Sequence, residues 1–394
     1  MEIKDLTDKR IWSGNNLDDL KTLLEEIDQH TELYRVSSVD VELLSLKKGF
    51  VTTSGKPIFK RYNPIHGEQL EIALPLETEE NKERLLPLVK ELKQNRLMLR
   101  CGDNKYFTAE SLIPTMTMRI GSGGANAKRP SFKRDAYFAE LLGVAEQDVQ
   151  LLIRRVDDVK KIFAMYSNRY TLVPQTVILD IINQIEHGLG KPVCKRWIVS
   201  NARTEVQLDF PERACDFARM YNLPDKIIPG LRLITSDVGE SSVCAIGTWK
   251  LRERTIGSDV YMRKHTGRIV PEKILEQIDH CIFAKYEKIP KTLCELMKID
   301  IREPMAAMES VFQQINLKDA IGMRREQQLC KIMEPQFNPR LKYTAYDIAT
   351  TVMALSASIQ GMSPTVEKRF ANCVIGAVFA DYREYENTLV AIPA

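Results

Sequence analysis

One stretch of the 394-residue chain combines an aromatic ring, a guanidinium group and an imidazole: SDVYMRKHTGRI, from Ser258 to Ile269. If this stretch is a β-strand, Tyr261, Arg263 and His265 lie on one face, because alternate side chains of a strand point to the same side. Such a face could bind single-stranded nucleic acid, since bases stack on rings and phosphates pair with cations. The alternative is the polar face of a solvated strand, which needs no ligand.

Further cations surround this stretch in the sequence. Residues 242–269 contain six lysines or arginines against two acids. His265 has no evident base partner or ring-orienting residue beside it, so catalysis by this histidine is disfavoured. The nucleic-acid contacts predicted in this region are Lys250, Arg252, Tyr261, Arg263, His265 and Arg268.

A second candidate is the glycine-rich basic segment RIGSGGANAKRPSFKRD, at residues 119–135. It is not a Walker-type phosphate loop, because a motif aligned on Lys128 has the wrong residue type at three required positions. A dinucleotide-binding fingerprint also fails, since no unit of strand, glycine turn and helix with a later acid is present. Its composition predicts a mobile loop, either merely solvated or acting as an arm that touches phosphates. The arm's cations would be Arg119, Lys128, Arg129, Lys133 and Arg134, with Phe132 and Tyr137 available for stacking.

Signatures of catalysis and of metal binding are absent from the sequence. The five histidines show no H-x-x-x-H or H-x-H spacing, and the eight cysteines form no C-x-x-C pair. Asp157 and Asp158 could hold a divalent cation, but an acidic pair between two strand-like segments is more typical of a turn. We therefore expect no metal, no cofactor and no enzymatic activity. A nuclease or hydrolase whose acids are dispersed along the sequence stays open.

The composition sets bounds on partners and on location. The chain has 56 lysines and arginines against 53 acids, a net charge of +3, so anion binding must come from local clusters. This near-neutral balance speaks against a nucleic-acid partner. The first ten residues are charged where a signal peptide needs an apolar core, and no uncharged apolar run reaches the ~18 residues of a membrane helix. We expect a cytoplasmic protein of a bacterial host cell, with free thiols and no membrane partner.

Apolar periodicity predicts the elements that must position these residues. Three regions are expected: an N-terminal α+β region at 1–145, a strand-rich core at 146–290 and a helical region at 291–394. One central sheet is predicted to contain strands at 151–156, 162–168, 193–200, 203–209, 231–237, 243–251 and 259–265. The predicted fold class is α+β, with a central antiparallel or mixed sheet flanked by helices and a helical C-terminal region.

Three predicted helices have boundary signals. The segment at 16–29 places leucines at helical spacing after an asparagine cap, Asn15 or Asn16. The segment at 176–188 has isoleucines on one face and ends at Gly188. The segment at 77–95 contains Pro87 and is expected to be kinked or split.

Four motifs, in order along residues 150–380, resemble a phage- and plasmid-associated family, domain of unknown function 932. They are IFAMYSNRYTLVPQ, ITSDVGESSVCAIGTWK, YMRKHTGRIVPEKILEQI and YTAYDIATTVMALS. The resemblance implies cargo of a phage, prophage or plasmid, and none of its motifs is catalytic. Ring-forming single-strand annealing proteins of such elements also combine a strand-rich core with a helical tail, which is an analogy of architecture alone.

These features together favour a non-enzymatic protein of a phage or mobile element that binds or anneals single-stranded DNA in replication or recombination. The alternative is a self-assembling phage structural or accessory protein, and the third possibility is the nuclease or hydrolase. A homo-oligomer is expected, because the C-terminal helices carry apolar residues on more than one face.

Overall fold

The computed structural model of the chain describes residues 6–51, 57–61, 69–71, 78–121, 132–238, 243–251, 254–263, 271–338, 341–355, 366, 369–370 and 373–386. Over these residues the fold is α+β, with one large antiparallel and one large mixed sheet, both flanked by helices, and a small two-stranded antiparallel sheet. The predicted fold class is therefore confirmed.

The helices and strands fall into three consecutive parts of the chain. The first part forms β1 (Ile11–Gly14), α1 (Leu17–Gln29), β2 (Thr31–Ser37), β3 (Val41–Val51), β4 (Pro57–Arg61), β5 (Gln69–Glu71), α2 (Glu79–Asn95), β6 (Leu97–Cys101), β7 (Asn104–Thr108), α3 (Leu112–Ile120) and α4 (Phe132–Ala145). The middle part forms β8 (Asp148–Val156), β9 (Val159–Ser167), α5 (Val177–Leu189), β10 (Val193–Ser200), β11 (Thr204–Asp209), α6 (Pro211–Tyr221), β12 (Ile227–Thr235), β13 (Val243–Leu251) and β14 (Arg254–Arg263). The last part is mainly helical: α7 (Pro271–Cys281), α8 (Lys288–Leu296), β15 (Asp300–Ile301), α9 (Pro304–Gln314), α10 (Leu317–Ile321), α11 (Met323–Met333), β16 (Tyr343–Thr344) and α12 (Ala345–Ala354).

Sheet A is antiparallel and has six strands in the order β1-β10-β11-β12-β13-β14. Alternate residues of these strands, such as Val206, Leu231 and Ala245, are fully buried in the main hydrophobic core. The same core contains Ile181 of α5 and Ile278 of α7. We call this helix-covered side the inner face of sheet A, and the opposite side its outer face.

Sheet B has eight strands in the order β2-β8-β9-β7-β6-β3-β4-β5. All its pairs are antiparallel except β7 with β9, which are parallel. Helices α3 and α4 cover one side through a second core that includes Leu112 and Phe138. On the other side, Leu44 and Met98 join the main core with Leu88 of α2.

The prediction that all seven predicted strands belong to one sheet is wrong. The first two predicted strands correspond to β8 and β9, which belong to sheet B, whereas the other five belong to sheet A. Alternating apolar residues indicate that a segment is a strand, but they do not indicate its partner. Strand β8 pairs with β2, for example Leu151 opposite Tyr34, so residues on both sides of position 145 build sheet B.

The predicted helix boundaries are partly confirmed. The side chain of Asn16 caps α1, accepting a hydrogen bond from the backbone N–H of Asp18 at 2.8 Å. Helix α5 runs past Gly188 and is followed by Gly190, whose φ of 86° is the left-handed region that favours glycine, so the predicted end was early. Helix α2 is one helix that contains Pro87, not two.

Two buried cations lie directly opposite each other on the side of sheet B that faces sheet A. Arg154 on β8 and Lys161 on β9 are register partners, and their exposed fractions are 1% and 0%. Like charges placed opposite each other destabilise an antiparallel pair. Each cation therefore needs acidic partners from elsewhere in the chain.

The guanidinium group of Arg154 joins the two sheets. Its Nη2 donates to Asp237 Oδ2 at 2.6 Å, just after β12, and its Nη1 donates to the backbone carbonyl of Asn201 between β10 and β11. Its carbon Cζ also lies 4.8 Å from the ring centroid of Phe163 on β9. Removing one member of such a buried pair leaves an uncompensated charge.

The ammonium group of Lys161 binds two more segments to sheet B. Its Nζ lies 2.9 Å from Asp8 Oδ1 and 2.7 Å from Glu91 Oε2 of α2, and it donates to the carbonyl of Leu6 at 2.9 Å. Burial raises the pKa of Glu91, and the charge of Lys161 opposes that rise. The N-terminal segment and α2 are thus held by one buried lysine.

Replacing Arg154 by methionine should lower the free energy of unfolding by about 3–5 kcal/mol, because Asp237 would keep a buried charge without its partner. Arg155→Met is the matched control, since the neighbouring Arg155 is exposed. It should change the free energy of unfolding by less than about 0.5 kcal/mol. Urea denaturation followed by circular dichroism measures both. Equal losses in the two variants would contradict the role assigned to the pair.

Candidate nucleic-acid interface

A row of polar side chains crosses the outer face of sheet A. Arg196 on β10 is opposite Gln207 on β11, and Gln207 is opposite Arg232 on β12. Their neighbours along the strands, such as Trp197 and Leu231, are buried in the main core. Because side chains alternate along a strand, the row points away from that core.

The two arginines of this row are spaced to reach an extended anionic chain. Arg196 is exposed, and the side chain of Arg232 is 42% exposed. They lie two strands apart, so their Cα atoms are separated by about 10 Å, two inter-strand steps of about 4.8 Å. A guanidinium group presents a planar fork of donors that matches a phosphate.

On β11, two residues before Gln207 and on the same face, Glu205 orients two arginines. Glu205 accepts from Arg232 Nε at 2.5 Å and from a terminal nitrogen of Arg203 at 2.7 Å. Burial acts to raise the pKa of Glu205, but the hydrogen bonds and charges of the two arginines outweigh it, so its pKa lies below the usual value. Glu205 is therefore ionised at neutral pH and compensates one of the two positive charges.

Two lysines complete the basic surface. Lys195 lies in a β-bulge of β10, and its Nζ is 3.7 Å from Asp209 Oδ2 at the end of β11. Lys250 on β13 is opposite Ile228 of β12, on the outer face, and its charge also acts on Asp209. Within the part of the chain that the structure describes, five basic side chains thus surround two acids: Lys195, Arg196, Arg203, Arg232 and Lys250.

Tyr261 does not lie on this surface. It is opposite Ala245, which is fully buried in the main core, and its own half-buried ring packs against that core. The predicted face is therefore reversed. The other side of the strand also carries apolar residues, and their partners on β13, Cys244 and Ile246, are buried as well, so the sequence pattern could not identify the inner face.

The other predicted residues of this region are only partly described. Arg263 ends β14 opposite Val243, at a position on the same side as Tyr261. Arg252, His265 and Arg268 lie outside the described residues. Of this predicted group, the structure brings Lys250 to the outer face.

The ends of the predicted basic arm lie on sheet B rather than on sheet A. Arg119 is in the last turn of α3, and Lys133 is in the first turn of α4, with both side chains exposed. Helix α4 begins at Phe132, so it includes the last four residues of the segment 119–135 that the composition predicts to be a loop. Lys128 and Arg129 lie outside the described residues.

Arg134 is a buried residue and not a solvent-facing arm cation. It is 5% exposed, and its Nε donates to Asp135 Oδ1 at 2.8 Å, while Nη2 donates to the carbonyl of Asn95 at 3.3 Å. Ser45 donates to the other oxygen of Asp135 at 2.5 Å. A run of basic residues does not reveal which one meets a buried acid, so the sequence predicted the wrong environment.

Other kinds of site find no support in the described part of the chain. It contains no group of three or more His, Cys, Asp or Glu side chains placed to hold a metal ion. Asp157 and Asp158 form the turn between β8 and β9, and Asp157 has a φ of 50°, as the turn interpretation predicts. None of the described helices combines the length and apolarity needed to cross a membrane.

Sequence reasoning missed Lys195, Arg196, Arg203 and Arg232. A usable signal was present, because the segments KRWIVS, RTEVQLD and GLRLIT each alternate polar and apolar residues. Aligning the three as neighbouring strands would have put Arg196, Gln207 and Arg232 in one row.

Tyr261→Ala should reduce stability and not affinity for nucleic acid. A half-buried ring should contribute about 1–3 kcal/mol, less than the ~3–5 kcal/mol of a fully buried aromatic. Tyr137→Ala, at an exposed position of α4, is the control and should stay within about 0.5 kcal/mol of the parent. Thermal unfolding and oligonucleotide titration test this, and weaker binding by a Tyr261 variant of unchanged stability would refute it.

Comparisons of the chain with protein-family models, with curated proteins and with solved structures found no match. The resemblance to the phage- and plasmid-associated family therefore stays a prediction. Any function has to be inferred from the geometry of sheet A.

Proposed function

We propose that this protein binds single-stranded nucleic acid, in the first instance DNA, through the outer face of sheet A. The observation that supports this most is the row of Arg196, Gln207 and Arg232, with Lys195 and Lys250 both beside it on the Asp209 side. The local excess of positive charge compensates for a net charge of only +3 over the chain. No chemistry is required of these residues, so the proposed role is not enzymatic.

Binding is proposed to depend on phosphates and not on stacking. None of the residues identified above on the outer face is aromatic, and Trp197 and Trp249 lie buried in the main core. Contacts to phosphates position a strand but carry no direct sequence information. We therefore expect weak sequence preference and strong dependence on salt.

The segment between α3 and α4 is proposed as a second, separate phosphate contact. Its two described ends carry the exposed cations Arg119 and Lys133. Lys128 and Arg129 belong to the same proposal, and Arg134 is removed from it because it is buried against Asp135. A role in replication or recombination of a phage or other mobile element is also part of the proposal, and its support is the motif resemblance.

The phosphate interface is tested by the double variant Arg196→Gln/Arg232→Gln. The log–log salt dependence of binding should become flatter by about 1.4, twice the slope of about 0.7 that one phosphate contact gives to a single strand. The matched control is Arg324→Gln/Lys331→Gln, which removes the same charge from exposed positions of α11. Fluorescence anisotropy with single-stranded DNA, single-stranded RNA and duplex DNA, at several salt concentrations, gives the slopes.

Two results would overturn the proposal. One is that the parent binds no oligonucleotide even at about 50 mM salt, where phosphate contacts are strong. The other is that the two double variants bind alike. Cleavage of the oligonucleotide in the presence of Mg²⁺ would instead favour a nuclease.

Self-assembly is the second candidate function, and one described surface favours it. The apolar side chains of Val39, Met118 and Val144 are 49%, 66% and 72% exposed. Gln147 links the segments that carry Val39 and Met118: its backbone N–H donates to Ser38 Oγ, and its Nε2 donates to the backbone carbonyl of Arg119. Adjacent exposed apolar side chains of this kind often mark an interface between proteins.

The parent is expected to form a homo-oligomer, with a mass that is a multiple of 45.1 kDa. Val144→Glu should shift it towards the monomer, because a charge cannot be buried in an apolar contact without a partner. Glu140→Gln, at an exposed position on the same helix, is the control. Sedimentation velocity at micromolar concentration measures the mass, and a parent that is monomeric throughout would exclude this candidate.

A further inference from the structure

The outer face of sheet A contains a buried carboxylate beneath two lysines. Asp209 is 4% exposed, while the side chain of Lys195, whose Nζ lies 3.7 Å from Asp209 Oδ2, is 46% exposed. Lys250, on the outer face of β13, also acts on this carboxylate through its charge. The acid is thus covered, and at least one of its lysines still reaches solvent.

A glycine makes room for this carboxylate. Gly230 is opposite Asp209 in register, and a Cβ at this position would lie 3.1 Å from Asp209 Oδ1 and 2.5 Å from Thr248 Oγ1. It would also lie 2.7 Å from the backbone carbonyl of Leu208, which cannot move independently of β11. The sheet therefore has a notch at Gly230, into which the Asp209 side chain fits.

This arrangement contributes little to stability. Burial raises the pKa of Asp209, which means that its charge is unfavourable there, and the charges of Lys195 and Lys250 only partly oppose that effect. An ion pair with a half-exposed lysine at 3.7 Å is weak. The acid nevertheless gives the Lys195 ammonium group a fixed partner and places a negative charge within the influence of Lys250.

We propose that Asp209 is a positioning residue, which holds the ammonium groups of Lys195 and Lys250 so that together they bind one phosphate of a nucleic-acid strand. The inference rests on the proposed function and names the residue that organises its site. Two lysines and one carboxylate leave one net positive charge at this point, which favours an anion. A lysine that is already held loses less conformational freedom when the phosphate binds.

The direction in which one substitution changes affinity distinguishes positioning from simple electrostatics. Asp209→Asn removes a negative charge close to the bound strand, so charge alone would strengthen binding. Positioning has the opposite effect, because the two lysines lose their anchor. We expect affinity for single-stranded DNA to fall about fivefold at low salt, in line with the cost of immobilising rotamer-rich side chains. Asp158→Asn, an exposed acid in the β8–β9 turn, should leave affinity unchanged or slightly higher.

A double-mutant cycle covers the case in which Asp209→Asn alters the fold. Lys195→Gln/Lys250→Gln should weaken binding by at least as much as Asp209→Asn. Adding Asp209→Asn to that double variant should then cause no further loss of affinity, because the groups it positions are absent. Additive losses would show a structural role, and circular dichroism checks that each variant folds.

A second readout does not depend on nucleic acid. Pulsed acetylation of the free protein with acetic anhydride, followed by mass spectrometry, should modify Lys195 and Lys250 several times faster in Asp209→Asn than in the parent. The rate at the exposed Lys331 should not change. If acetylation rates and affinity are both unchanged, the inference is wrong. If the parent binds no oligonucleotide, the proposed function fails, and the acetylation rates alone decide whether Asp209 positions the lysines.

Discussion

Two positive charges buried opposite each other, Arg154 on β8 and Lys161 on β9, are the constraint on which the rest of the fold depends. Neither charge can stay in the interior without an anion. The anions come from three distant segments: Asp8 near the N-terminus, Glu91 in α2 and Asp237 after β12. Sheet B therefore reaches its native state only when these segments have docked, which makes the assembly of the molecule interdependent.

The same constraint positions the basic surface. Arg154 contacts the turn after β10 and the segment after β12, and these two strands carry Arg196 and Arg232. On the inner face of sheet A, Trp197 and Leu231 fix which side of each strand is buried. Docking at one end and burial of one face together determine where the exposed guanidinium groups lie. The candidate interface is thus a consequence of how the interior is built.

The sequence predicted local structure better than it predicted environment. The strands of sheet A and the cap at Asn16 follow from alternation and from local hydrogen bonding, which short segments reveal. The burial of Arg134 depends on its hydrogen bond to Asp135. Asp135 in turn accepts from Ser45, which is 90 residues away in the sequence and is brought near only by the fold. The face of Tyr261 depends on its pairing with Ala245, which the sequence pattern does not reveal because both sides of β14 carry apolar residues. Net charge also hides the basic surface, because acids elsewhere in the chain cancel it.

All three tryptophans of the chain belong to strands of sheet A: Trp12, Trp197 and Trp249. Each is buried in the main core, with exposed fractions of 5%, 1% and 0%. The intrinsic fluorescence of the protein therefore reports on the inner face of one sheet, while sheet B contributes only through tyrosine. An event confined to the second core, between sheet B and helices α3 and α4, would leave the emission spectrum nearly unchanged and would alter the far-ultraviolet dichroism. The three tryptophans thus distinguish loosening of the main core from loosening of the second core under α3 and α4.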